Sequence, residues 1–237
     1  MKQPPAYDEQ GYNVLDQNDR LGLKSKYITL LHEKILAIYI DKGFGRKAID
    51  IGCGYGRLTP TLSKLDWDAL GIDPDENLIN YARKHNQGPD YLVGSLPELP
   101  VQEKVDLILI QNLLRGLLLM DQLDLIKGIG NFIKNDAKLF LIDNIRINNN
   151  FYLSEKSIIN LISNEGFKLQ QIIPIRAARW WPIFLMKFGL IPTFMFDFIS
   201  DFEIKKMQNK KLNPKWQYYN VLFIFKKVDQ SFSSKQT

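Results

Sequence analysis

The chain has 237 residues, 45% hydrophobic and 24% charged, which suits one α/β domain with a sizeable core and excludes wholesale disorder. A single cysteine, Cys53, excludes a disulfide framework, and Met1-Lys2-Gln3-Pro4-Pro5 lacks the apolar run of a secretory signal, so a cytoplasmic protein is expected. The net charge of +5 is unevenly placed: residues 1–175 hold 20 Lys/Arg against 22 Asp/Glu, a balance of −2, and residues 176–237 hold 11 against 4, a balance of +7. That basicity fits either a polyanionic or membrane-surface partner or a solvated face.

Residues 1–45 read as a polar, turn-rich arm with Tyr7 and Tyr12, followed by a helix over 25–40 whose apolar positions Tyr27, Ile28, Leu31, Ile35 and Leu36 recur near the helical period. The core spans 46–175. Its first strand, Ala48-Ile49-Asp50-Ile51, runs into Gly52-Cys53-Gly54-Tyr55-Gly56-Arg57 and a short helix over 58–65. Glycine at every second position lets the backbone turn through positive φ and approach a ligand, while the free N–H groups of the helix's first turn face it. Such a loop holds a nucleotide-like molecule. It is not the dinucleotide fingerprint G-x-G-x-x-G, whose third glycine falls where Arg57 stands.

The second strand, 69–72, ends in Asp73, 21 residues beyond Gly52. A carboxylate there can accept hydrogen bonds from both ribose hydroxyls. Asp73-Pro74-Asp75-Glu76 also suits a helix start with Asp73 as N-cap, and both roles are compatible. A helix over 76–84 leads to a third strand at 91–93 and then to Gly94-Ser95-Leu96-Pro97. The apolar run 105–110 reads as a central parallel strand, followed by Gln111-Asn112-Leu113-Leu114-Arg115-Gly116 at its C-terminal end, where open α/β sheets bind ligands. A helix over 122–134, a turn at Asn135-Asp136-Ala137, a strand over 138–143, a helix over 154–164 and a strand over 167–175 complete this part; a last strand, 217–225, lies within the segment 216–228, ahead of a tail, 229–237, expected to be disordered.

Residues 176–215 form an insertion between the last two strands, rich in Arg176, Arg179, Trp180, Trp181 and phenylalanines. Lys187, Asp197, Pro182 and Pro192 interrupt it, so it does not reach the about 20 apolar residues that span a bilayer. If the sixth strand is parallel to the first five, the insertion leaves the sheet beside the ligand site and forms a lid or pocket wall. A homodimer interface through 176–215, a peripheral membrane contact and extra core are the other readings.

Asp50, Gly52, Gly54 and Gly56, with Asp73 downstream, resemble motif I and the following acid of the class I S-adenosylmethionine-dependent methyltransferases. The resemblance covers about residues 45–175 and 216–228. It implies a seven-stranded, mostly parallel Rossmann-like α/β sheet with helices on both faces, preceded by a helical arm. It further implies S-adenosyl-L-methionine as cofactor, held by Asp50, Gly52, Cys53, Gly54, Gly56, Asp73, Pro74, Gly94, Ser95, Leu96 and Gln111, although Ser95 stands where an acid is common. Asn112 and Arg115 fall near the reacting groups, replacing a histidine that many small-molecule relatives carry, so the general base is undefined. His32, mid-helix, and His85, at a helix end, read as structural or surface residues. Tyr7, Tyr12, Arg176, Arg179 and Trp180 are candidate contacts to a small-molecule acceptor, with a slight preference for O-methylation of an apolar, sugar or lipid-linked one. A catalytically silent cofactor-binding interaction protein and an RNA methyltransferase are the alternatives. No recognisable RNA-binding module supports the latter, so nucleic acid is not the expected partner. A cysteine nucleophile is not expected, and two histidines with one cysteine give no metal site.

Overall fold

The computed structural model describes residues 19, 21–95, 103–114, 117, 119–146, 153–177, 180–208 and 218–229. Tyr7, Tyr12, Leu96, Arg115 and Arg179 lie outside the described residues, as do 230–237 of the tail. The strands are β1 Lys47–Ile51, β2 Asp68–Asp73, β3 Asp90–Val93, β4 Val105–Gln111, β5 Ile133–Ile145, β6 Phe167–Ala177 and β7 Tyr219–Lys227. They form one sheet in the order β3-β2-β1-β4-β5-β7-β6. β1 to β5 pair in parallel, and β7 runs antiparallel to both of its neighbours, so β6 points the same way as the first five. The order reverses between β1 and β4, and the connections leaving those two strands diverge to open a crevice at their C-terminal ends.

Among the described residues seven α-helices accompany the sheet: α1 Leu23–Tyr39, α2 Thr59–Lys64, α3 Glu76–His85, α4 Leu119–Phe132, α5 Glu155–Ser163, α6 Trp181–Lys187 and α7 Phe196–Gln208. Strand alternation divides the core between the two faces. Ile108 and Ile110 of β4, with Leu139 and Leu141 of β5, pack against Ile126 and Ile129 of α4 and Ile158 and Ile162 of α5. Leu107 and Leu109, with Phe140 and Ile142, pack on the other face with Leu31 and Ile35 of α1, Leu62 of α2 and Ile204 of α7.

Three local expectations are corrected. α4 stops at Phe132, not Lys134, because Ile133 already pairs with Val105; the expected turn survives as a bulge, with Asp136 at φ 66, before register resumes at Leu107 and Lys138. α3 is capped by Asp75, whose side chain accepts from Asn77 N and Leu78 N, and not by Asp73. β6 continues to Ala177, which makes Arg176 part of a core strand and not of the insertion.

α1 is fastened across the sheet by a buried polar chain. His32 Nε2 lies 2.7 Å from Asn220 Oδ1, and Asn220 Nδ2 donates to Asn144 Oδ1 at 3.0 Å. The Asn220 oxygen must therefore accept from the ring, which places the His32 proton on Nε2. Nδ1 is left to accept from Arg57 Nη2 at 3.1 Å and Gln111 Nε2 at 3.2 Å. Burial, reinforced by the Arg57 charge, holds the His32 pKa well below the ordinary histidine value.

The folded protein thus refuses a proton that the unfolded chain binds near pH 6.5, so this contribution is constant above that pH and stability falls below it. His32→Gln removes the proton difference. Denaturant unfolding of both proteins at pH 7.5 and 5.5 should show the stability difference moving by about 1.4 kcal/mol in favour of the variant at the lower pH. An unchanged difference would show that His32 titrates alike in both states.

Candidate active site

The loop after β1 is built from three left-handed glycines, Gly52 at φ 69, Gly54 at φ 57 and Gly56 at φ 75. Its start is clamped by Gly52 N and Cys53 N, which both donate to Ile72 O at 2.8 and 3.1 Å. Packing demands glycine at 56, where a Cβ would lie 2.7 Å from Tyr91 Oη. At Gly54 a Cβ would approach nothing closer than Leu78 at 3.9 Å. The protein's own packing does not fill that edge, and it remains clear for the close approach of a ligand.

Two carboxylates support the loop. Asp50, buried in β1, accepts from Thr59 Oγ1 at 2.7 Å and so ties the strand to the first turn of α2. Burial raises its pKa to about 6, against the opposing effect of the Thr59 hydroxyl. Asp73, at the end of β2, accepts from Gly54 N through Oδ2 at 2.9 Å and from Asp75 N through Oδ1 at 3.0 Å. Burial also raises its pKa, and these two N–H groups oppose the rise. Each of its oxygens has a second lone pair to offer beyond these bonds.

The other expected residues gather around this pair. Exposed Pro74 follows Asp73, and Gly94 N donates to Asp73 O at 3.1 Å, which brings the end of β3 and the exposed Ser95 alongside. Gln111 closes β4 and bonds His32. Asn112 adopts φ 52, a conformation asparagine tolerates, and its Oδ1 is buried without a hydrogen-bond partner. Cys53 turns its thiol into a cluster with Ile79, Ala82 and Tyr91, where burial pushes its pKa up and keeps it protonated.

Arg176 and Trp180 lie further along, at the ends of β6 and at the start of α6. Arg176 is buried, its Nη2 3.4 Å from Tyr218 Oη and its Nε without a partner. Nearby, Tyr27 Oη of α1 donates to Glu203 Oε2 of α7 at 2.7 Å. Burial pushes the Glu203 pKa up to about 7, with the Tyr27 bond opposing. A cleft of about 520 Å³ runs beside the loop, lined by Thr29 of α1, Tyr55 and Arg57 of the loop, Tyr81 and His85 of α3, and Phe196 of α7.

Sequence reasoning did not foresee Arg57, Thr29 and His32 as one unit. Arg57 Nη1 donates to Thr29 Oγ1 at 3.1 Å while Nη2 meets His32, so α1 is pinned to the glycine loop. The only local signal was an arginine where the dinucleotide pattern has glycine. His32 is a buried structural residue as expected, yet it touches Gln111 and Arg57 at the site; His85 is exposed and stacks on Tyr81 with ring centroids 4.2 Å apart.

Residues 49–141 match the family described as "Methyltransferase domain". A protein of Invertebrate iridescent virus 6 named as methyltransferase 235L is 25% identical over 185 residues, which cover 76% of this chain and 61% of that protein. A ubiquinone biosynthesis O-methyltransferase of Methylococcus capsulatus is 56% identical over 41 residues, 17% of each chain. The chain thus spans less than two thirds of the length of these relatives. The crystal structure of a TehB-like SAM-dependent methyltransferase from Corynebacterium glutamicum shares the fold, with TM-score 0.58 and 18% identity over 83% of this chain and 87% of that one. The matched domain, the sheet order and the glycine loop with its two carboxylates agree: residues 49–141 match the methyltransferase-domain family, and the fold is that of the S-adenosylmethionine-dependent methyltransferases.

Proposed function

We propose that this chain transfers the methyl group of S-adenosylmethionine to a small or medium-sized acceptor. The observation that carries the reading is the open edge of Gly54 held beside the Asp73 carboxylate, a cradle for a ribose with a chain attached. Asp73 would take the ribose hydroxyls, the backbone from Gly52 to Gly56 the amino-acid part, and Gly94, Ser95 and Leu96 the base. The cofactor supplies an electrophilic methyl group on a sulfonium sulfur. The protein's main task is then to hold an acceptor lone pair close and in line.

Asn112 and Arg115, with Gln111, stand at the reacting end in this reading. The buried Oδ1 of Asn112 suits an acceptor O–H or N–H. Arg176, Arg179 and Trp180 border the acceptor, and the two arginines suit a phosphate or carboxylate on it. Phe196 on the cleft beside the loop supports the insertion as a pocket wall. A preference for hydroxyl acceptors draws support from the short matches to O-methyltransferases.

Titration calorimetry with S-adenosylhomocysteine should show binding that NAD does not compete with. Asp73→Ala should weaken it at least about tenfold, the scale of a lost hydrogen bond to a charged group. Equal affinity in the variant, or preference for NAD, would remove the cofactor reading.

Gly54→Val should abolish S-adenosylhomocysteine binding, because its side chain enters the open edge, while the folded state loses on the order of 1–2 kcal/mol from the left-handed backbone. Retained binding with the same stability loss would show that the ligand does not approach Gly54.

Turnover is tested by S-adenosylhomocysteine release over a panel of phenols, alcohols, carboxylates and amines, each with and without an apolar tail. Asn112→Gly keeps the backbone conformation and removes Oδ1. It should lower turnover roughly tenfold with cofactor affinity within about twofold. Cofactor binding with no turnover on any acceptor would favour a silent binding protein.

A further inference from the structure

The insertion carries an apolar outer surface that the fold does not use. Its inner side is well accounted for: Ile183 and Met186 of α6, Ile191 and Phe196 pack with Tyr27 of α1 in a small core of their own. Its outer side exposes Trp181 69%, Phe184 63%, Phe188 58%, Phe194 82%, Phe198 72% and Phe202 54%. The spacing is helical on both pieces, with Trp181, Phe184 and Phe188 along α6 and its end, and Phe198 and Phe202 one turn apart on α7. Phe184 and Phe188 meet at 4.9 Å between ring centroids, and Phe202 stacks on Trp180. Summed over the six side chains, the exposure is on the order of 800 Å² of mostly apolar surface on one short segment.

The charges around these rings select the occupant. Lys205 and Lys206 lie on α7, Lys206 Nζ 4.7 Å over the Trp180 ring, and Lys187 ends α6. The sequence continues beyond α7 with Lys210, Lys211 and Lys215. Across residues 176–215 eight Lys/Arg stand against three acids, an excess of +5; of those acids Asp197 and Asp201 share the single cation Lys34 of α1 at 2.9 and 2.5 Å, and Glu203 is buried against Tyr27. A second copy seated face to face would set one lysine rim against another, a like-charge arrangement that opposes an isologous dimer. Residues 1–18 offer too few large apolar side chains to cover six rings. Aromatic rings with a lysine border match the interfacial zone of an anionic bilayer, where Trp and Phe enter the headgroup region and Lys meets lipid phosphate. Among the described residues no helix is long and apolar enough to cross a membrane, so the contact is in-plane.

We propose that the outer face of α6 and α7 docks the protein on anionic lipid surfaces. This reading stands apart from methyl transfer, and its test needs no turnover. The full chain is sedimented with vesicles of phosphatidylcholine alone and of phosphatidylcholine rich in phosphatidylglycerol. Binding is expected to the second, stronger than to the first. Phe184→Ser/Phe188→Ser/Phe198→Ser should lower the partition coefficient at least about tenfold on both vesicles, since apolar burial drives entry. Lys205→Glu/Lys206→Glu should lower it on the order of tenfold on the anionic vesicles only. Circular dichroism and S-adenosylhomocysteine affinity unchanged from wild type would show that both variants fold, and the lysine variant carries the test should the triple one not. Failure of the wild type to sediment with either vesicle overturns the proposal. So does equal binding by both folded variants, or a wild-type dimer that the aromatic substitutions convert to monomer without any vesicle binding.

Discussion

The hydrogen bond from Gly54 N to Asp73 Oδ2 joins the two parts of the chain that make the site. One end is a loop that can present its N–H only because its backbone is left-handed, and the other is a carboxylate brought to the same level by the parallel pairing of β1 and β2. Asp50 acts from beneath, binding Thr59 so that α2 starts where the loop ends. Burial works against ionisation of both acids, and both are held by donors that favour the charged form. Two desolvated carboxyls flanking an unfilled glycine edge are costly for folding alone; a ligand with hydroxyl donors gives the arrangement a purpose.

What was legible in the sequence follows from which constraints are local. A loop that needs positive φ at alternate positions writes glycine there, so Gly52, Gly54 and Gly56 could be read directly, as could strands buried on both faces. Asp73-Pro74-Asp75-Glu76 offers two acids for one cap, and local spacing favours Asp73 with Glu76. The choice falls to Asp75 because the Asp73 carboxylate is claimed by Gly54, a partner 19 residues away that no capping rule contains. The start of β5 was misplaced for a similar reason: Ile133 is drawn into the sheet by Val105, across the bulge around Asp136. His32 looked like a mid-helix residue without a task because its partner, Asn220, is 188 residues away.

The insertion is joined to the glycine loop through α1. Glu203 and Phe196 of α7 hold Tyr27, the latter edge-on at 5.6 Å, and Lys34 spans to Asp197 and Asp201. Between Tyr27 and Lys34 on α1, Thr29 and His32 take the Arg57 guanidinium, which belongs to the loop itself. α1 is therefore less a cap added to the domain than the beam between an outer aromatic face and the cofactor cradle. A surface that rests on lipid while attached through a flexible tether would leave the cradle free to tumble. Attached through buried hydrogen bonds and a shared apolar core, a surface docked as proposed would set the height and orientation of the strand ends above the bilayer, the geometry that an acceptor partitioned into that bilayer would require.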